Sequence, residues 1–183
     1  LSAEVFYLPN LSNIIENSLV TLGNGKYMLI EFSSNIFPFG YEDEIFKLQS
    51  NGVTPIIAHP ERYRFVQKDI KILKSWIDRG YIIQIDAGSI LGHFGTKIKK
   101  ITIQMINNGF IHLIGSDAHN NKKRNFCLAE AYSYLEKNMS NDLVNQLKNN
   151  SMNLLNGNKI DLEITDYNKN KFSFLDIIKS KLP

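Results

Sequence analysis

The chain has 183 residues, 43% of them hydrophobic and 21% charged, with 21 Lys+Arg against 18 Asp+Glu for a net charge of +3. This excludes bulk disorder, a collagen-like repeat and a disulfide-stapled scaffold, and the near-neutral balance argues against a nucleic-acid binder held by bulk electrostatics. No apolar run approaches the roughly 18–20 residues of a membrane helix, so direct membrane insertion is not expected. The single cysteine, Cys127, permits no internal disulfide and fits a reducing compartment. The chain opens on Leu1 rather than Met and runs at once into strand-like residues with no secretory leader, so further residues are expected upstream.

Taken in order, the pattern alternates strands and helices. Residues 3–7 read as a strand, 11–18 as a short helix or turn, and Gly23-Asn24-Gly25 as a turn before a strand over 27–32. Residues 41–51 read as a helix with Ile45 and Leu48 on one face and Gly52 beyond its end. A strand over 54–58 follows. The spacing of Ile70, Leu73, Trp76 and Ile77 predicts a helix over 68–79 closed by Gly80. Then come a strand over 81–85, a Gly-punctuated loop over 88–95, a helix over 96–108 ending at Gly109, a strand over 110–115 and a helix over 125–138. Ser140 is placed to cap a last helix running to about residue 150. The apolar strands read as buried on both faces, the mark of a parallel sheet in an α/β fold. We expect one domain over 1–160, with 161–183 as a C-terminal extension or helix of that domain.

Reactive residues of α/β folds collect at the C-terminal ends of parallel strands. Strand ends here carry Glu4, Glu31, His59, Asp117 and His119. Each has a bland reading as a solvated or paired group, but together they form a mixed O/N donor set suited to Mn, Fe or Zn. The basic residues are 17 Lys and 4 Arg, yet Arg62 and Arg64 lie within five residues of His59, and Arg124 lies five after His119. A guanidinium forks onto phosphate in a way Lys cannot reproduce, so we favour phosphate recognition over simple pairing with Glu61 or Asp69. Metal ligands with an arginine clamp suggest phosphoester hydrolysis. His112, inside a strand, reads as a core residue. The 88–95 loop is expected to border the site without the spacing of a phosphate-binding loop, and its His93 carries little weight as a substrate contact. Cys127, in a helix-like run without a phosphate loop, is a poor nucleophile candidate.

The runs Pro55-Ile56-Ile57-Ala58-His59-Pro60-Glu61-Arg62-Tyr63-Arg64, Asp86-Ala87-Gly88-Ser89-Ile90-Leu91-Gly92 and Gly115-Ser116-Asp117-Ala118-His119-Asn120 resemble the metal-dependent bacterial protein-tyrosine phosphatases of capsule and exopolysaccharide clusters, members of the polymerase-and-histidinol-phosphatase (PHP) superfamily. Ala3-Glu4-Val5 and Leu29-Ile30-Glu31-Phe32 fit the same group, and the likeness covers roughly residues 1–157. It implies a distorted (β/α)7 TIM-like barrel holding two or three metals, often manganese. It implies Glu4, Glu31, His59, Asp117 and His119 as ligands, with Glu4 bridging, and Arg62, Arg64 and Arg124 on the phosphate. A metal-bound hydroxide would attack phosphorus in line. The implied substrate is a phosphotyrosine protein, a membrane-associated tyrosine kinase controlling polysaccharide export. The implied setting is cytoplasmic, with homo-oligomers a further expectation. One departure stands out: the family opens on a strand with a His-x-His pair, and here no His precedes His59. The chain therefore reads as the family's barrel without its first strands. Two other readings are a small-molecule phosphatase of the histidinol-phosphatase kind and a non-catalytic binding domain or inactive fragment.

Overall fold

Short runs rich in Ile, Leu and Val build one five-stranded sheet in the order β1 (Val5–Phe6), β2 (Tyr27–Glu31), β3 (Thr54–Ala58), β4 (Ile82–Asp86) and β5 (Leu113–Gly115), every pair parallel. The computed structural model describes residues 3–119 and 126–163. Parallel neighbours need crossover connections. These are supplied by α1 (Tyr41–Ser50), by α2 (Arg64–Lys68) with α3 (Lys71–Asp78), and by α4 (Ala87–Leu91) with α5 (Thr96–Asn107). After β5 come α6 (Leu128–Asn138) and α7 (Asn141–Leu155).

Successive strand residues face opposite sides. Ile30, Ile57, Ile83 and Ile114 join the main core with the helix residues Ile45, Leu48, Leu73 and Trp76. Ile56, Ile82 and Leu113 face the other way, into a small cluster closed by Tyr27 and Ile160. Each side of the sheet is thus covered, as the unbroken apolar strands require. In the main core Phe32 packs edge-on against Tyr41 and Tyr63 and tilted against Trp76, and the Trp76 indole N–H donates to Tyr41 Oη at 2.7 Å.

The elements differ from the pattern-based expectation in several places. The helix expected over 68–79 begins only at Lys71, after the separate short helix α2 has ended at Lys68, because Asp69 takes an extended backbone (φ −142°, ψ 97°) and its carboxylate accepts the Lys71 N–H at 3.0 Å. An Asx turn there competes with the helix that the apolar spacing favours. The first part of the 88–95 loop is helical, since Asp86 caps α4 by accepting the Gly88 N–H at 2.7 Å. β1 spans only Val5–Phe6, α6 begins at Leu128, and α7 extends to Leu155 behind its Ser140 cap. Arg124 and residues 164–183 of the expected C-terminal extension lie outside the described residues.

Candidate metal and phosphate site

Four strand ends point at one place. Glu31 is the last residue of β2, His59 follows β3, Asp86 closes β4 and Asp117 stands two residues beyond β5. Glu4 arrives differently from expectation. It precedes β1, one step before the Val5↔Ile30 pair, and its carboxylate still reaches His59. Two of these positions are held in the left-handed region that non-glycine residues avoid, His59 at φ 31° and Asp117 at φ 42°. Such backbone costs about 1–3 kcal/mol per residue and persists where surrounding structure fixes it, commonly at functional sites.

The donor atoms of Glu4, His59 and Asp117 all lie within 4.8 Å of one another. His59, 5% exposed, has its Nε2 at 3.0 Å from Glu4 Oε1 and 3.5 Å from Glu31 Oε1. Two carboxylates converging on one imidazole nitrogen need a cation between them, a proton or a metal. Burial works against a charged His59; the hydrogen bond to Glu4 and the Glu61 charge overcome it, against Arg62, and the net shift is upward. The donor set of two or three carboxylates and a deep imidazole fits a divalent transition metal, with Glu4, His59 and Asp117 at its centre and Glu31 at its margin. His119 is more peripheral. Its side chain is exposed, and its Nδ1 lies 2.9 Å from the Asp117 carbonyl oxygen and 3.4 Å from Asp117 Oδ1.

Arg62 joins the same cluster. Its Nη1 donates to Asp117 Oδ2 at 2.6 Å and stands 3.6 Å from Asp86 Oδ2. Burial opposes its charge, but Asp117 and Asp86 hold the guanidinium more firmly protonated. Arg64 behaves differently. It begins α2, its backbone N–H donates to the Ser34 carbonyl at 2.8 Å, and its residue is exposed, with no hydrogen bond or ion pair among the described residues that joins its side chain to the cluster. Arg124 lies outside the described residues.

Three buried groups beneath the cluster were not singled out by sequence reasoning. Glu61 is fully buried, and its Oε1 accepts the Asp86 N–H at 2.9 Å and the Ser89 hydroxyl at 2.7 Å. Burial raises its pKa and that of Asp86. Tyr63 donates its hydroxyl to the Ala58 carbonyl at 2.6 Å and accepts the Phe32 N–H at 2.9 Å, tying the ends of β2 and β3 together beside Glu31 and His59. Asp86 was findable, since it ends a strand like the others. Glu61 reads from sequence as a surface partner for arginine, and only the three-residue helical turn over Pro60–Arg62 turns it inward.

His112 is a core residue as expected, 1% exposed, with Nδ1 accepting the Ile83 N–H at 3.0 Å. Cys127 is buried, and burial raises its thiol pKa, which suits packing and not nucleophilic attack. Among the described residues no helix is long and apolar enough to cross a membrane.

The profile of the family described as "Capsular polysaccharide synthesis, CpsB/CapC" matches residues 1–156. The chain is 36% identical over 148 residues to the tyrosine-protein phosphatase YwqE of Bacillus subtilis, covering 81% of this chain and 58% of that one. It is 35% identical over 147 residues to the putative tyrosine-protein phosphatase CapC of Staphylococcus aureus, covering 80% and 58%. A solved structure from work on YwqE of B. subtilis and CpsB of Streptococcus pneumoniae, described as unique metal-dependent tyrosine phosphatases, superposes with a TM-score of 0.81 at 33% identity, over 87% of this chain and 65% of that one. The chain thus spans a little over half the length of these curated relatives.

Proposed function

The chain belongs to the CpsB/CapC family of capsular polysaccharide synthesis, and on that premise we propose that it forms the larger part of a metal-dependent protein-tyrosine phosphatase. The observation that carries this reading is the convergence of Glu4, His59 and Asp117 donor atoms within 4.8 Å, with Arg62 bonded to the same Asp117. The all-parallel sheet in sequential strand order supports reading the fold as a sector of the PHP-type (β/α)7 barrel. Residues 1–160 are then the phosphatase domain and 161–183 its extension.

In this reading Glu4, His59 and Asp117 would hold a divalent metal, with Glu31 and His119 completing sites for two or three ions. When bound, the metal, manganese in our assignment, would supply Lewis-acid polarisation of the phosphoryl group and of the attacking water. The chain's own residues do the rest. Tyr63 and Glu61 fix the strand ends that carry the ligands. Arg62 is oriented by Asp117 and Asp86 through Nη1 and presents its remaining N–H groups to phosphate oxygens, where charge builds in the transition state. The family resemblance also assigns the phosphate to Arg124 and to Arg64, which starts α2 in an exposed position. The substrate would be a phosphotyrosine protein, a membrane-associated kinase of capsule export, met in the cytoplasm, with the enzyme free to assemble as a homo-oligomer.

The test is phosphate release from a phosphotyrosine peptide by the full-length gene product, with and without manganese. Histidinol phosphate serves as the comparison substrate. Manganese-dependent turnover of the peptide, abolished by chelation, is expected. A strong preference for histidinol phosphate would overturn the substrate assignment. Less than one transition metal per chain after loading would overturn the enzymatic reading.

A further inference from the structure

The glycine-rich turn after α4, Gly92-His93-Phe94-Gly95, takes no part in the chemistry described above. It is nonetheless built with care. The N–H groups of Gly92 and His93 both donate to the Gly88 carbonyl at 2.9 Å, and the Gly95 N–H donates to the Gly92 carbonyl at 3.0 Å. Gly92 and Gly95 both sit at φ 93°, where a side chain would be strained. A Cβ on Gly88 would stand 3.1 Å from Phe94 Cε2 and 3.2 Å from His93 Nδ1, so the turn folds directly over the backbone of α4. The product of these constraints is one placement. The Phe94 ring lies under the Arg62 guanidinium, its centroid 5.1 Å from Cζ, with the ring only half-buried.

We propose that Phe94 is a specificity-determining residue, whose ring forms the wall against which the phenyl ring of an aryl phosphate packs while Arg62 holds the phosphate. The inference rests on the phosphatase reading and deepens it. Both contacts of Arg62 to acids run through Nη1. A phosphate on the other side of the fork puts its ester oxygen and the attached ring beside the guanidinium, against the part of the half-buried Phe94 ring that the guanidinium leaves open. A flat ring gains an offset or edge-on contact there, whereas an alkyl ester lacks that pairing. The stack also limits the guanidinium to one plane, so the phosphate and the ring are aligned by one residue.

The experiment compares a phosphotyrosine peptide with the same peptide carrying phosphoserine, on the manganese-loaded full-length gene product. Wild type and the Phe94→Leu and Phe94→Tyr variants are measured. Calorimetric binding of phenylphosphonate and methylphosphonate gives a readout apart from turnover. For Phe94→Leu, KM for the phosphotyrosine peptide and Kd for phenylphosphonate rise about fivefold to tenfold, the size of one aromatic pair contact. The phosphoserine peptide and methylphosphonate change less than about twofold, and Phe94→Tyr restores wild-type values. An equal loss on aryl and alkyl ligands would overturn the proposal, because that is the result of a loosened Arg62 alone. Unchanged aryl values in Phe94→Leu would overturn it as well. If wild type neither turns over phosphotyrosine nor binds phenylphosphonate, the phosphatase reading itself falls and takes this inference with it.

Discussion

Arg62 concentrates several demands in one side chain. It bonds Asp117 at 2.6 Å, faces the buried Asp86 at 3.6 Å and lies over the Phe94 ring. Lys at this position keeps the charge but loses the planar fork and the flat stacking surface. Arg62→Lys is therefore expected to lower kcat/KM by about tenfold or more, roughly 1.4 kcal/mol of transition-state stabilisation per tenfold, with metal content per chain unchanged. Steady-state kinetics beside elemental analysis check this, and wild-type kinetics would remove Arg62 from the phosphate clamp. The reasons for noticing Arg62 are legible in the sequence: arginine is rare in a lysine-rich chain, and this one lies three residues after a histidine at a strand end. The same logic weights Arg64 equally, and the structure separates them. The turn at Pro60–Arg62 faces Arg62 inward, while Arg64 starts α2 in an exposed position. Rarity and spacing say nothing about which way a side chain leaves a one-turn helix. For the same reason Glu61 and Tyr63, between and beside these arginines, were invisible as buried supports.

At the scale of elements, the strand–helix alternation follows from periodicity, and the five strands stand where the apolar runs lie. Two of the boundaries that were missed share a cause. A short polar side chain bonds a backbone N–H two residues on, at Asp69 between α2 and α3 and at Asp86 where β4 gives way to α4. Contacts that join distant elements are likewise silent in local pattern. The C-terminal end of α7 meets the turn before β2: Lys26 Nζ donates to the Gly157 carbonyl at 2.7 Å, and the Tyr27 hydroxyl donates to the Asn158 carbonyl at 2.5 Å. Gly157 lies at φ 65°, and a Cβ there would stand 2.5 Å from the Gly23 carbonyl oxygen. Backbone cannot yield as a flexible side chain would. Gly157→Ala should cost about 2 kcal/mol or more from left-handed strain and the clash together. It is read as a lower denaturation midpoint with an unchanged slope. An undisturbed midpoint would mean that α7 and the turn separate without loss.

For the molecule as a whole, His112 links the sheet to its last helix. Its ring accepts the Ile83 N–H, and its carbonyl accepts Asn150 Nδ2 at 3.1 Å. Burial lowers its pKa from 6.5 to about 4, with Asp161 and the Leu162 backbone pulling weakly the other way. Here the folded pKa is depressed below the unfolded one, so between pH 6.5 and about 4 the unfolded chain binds the extra proton. Stability from this group is complete above the unfolded pKa and falls as the solution is acidified through that window, by about 3 kcal/mol in all. Glu61 and Asp86, with raised pKa values, act in the opposite sense over the acid range. The contribution of His112 is therefore isolated as the difference between wild type and His112→Asn in denaturant titrations, which should shrink as the pH drops from 7 to 4. A difference constant with pH would mean that the ring binds its proton equally well in the folded and the unfolded chain. A different consequence comes from the shortest strand. β1 holds the sheet through two residue pairs, with Ala3 N–H on the Leu19 carbonyl and Tyr7 N–H on the Glu31 carbonyl at its flanks. Glu4 stands one residue before that strand and closes on His59 at 3.0 Å, so the hydrogen bonds that hold Ala3 and Tyr7 also hold one donor of the cluster in place. The carboxylate is thus moored by two short backbone anchors, one on either side of it, rather than by the long strands that carry Glu31 and His59.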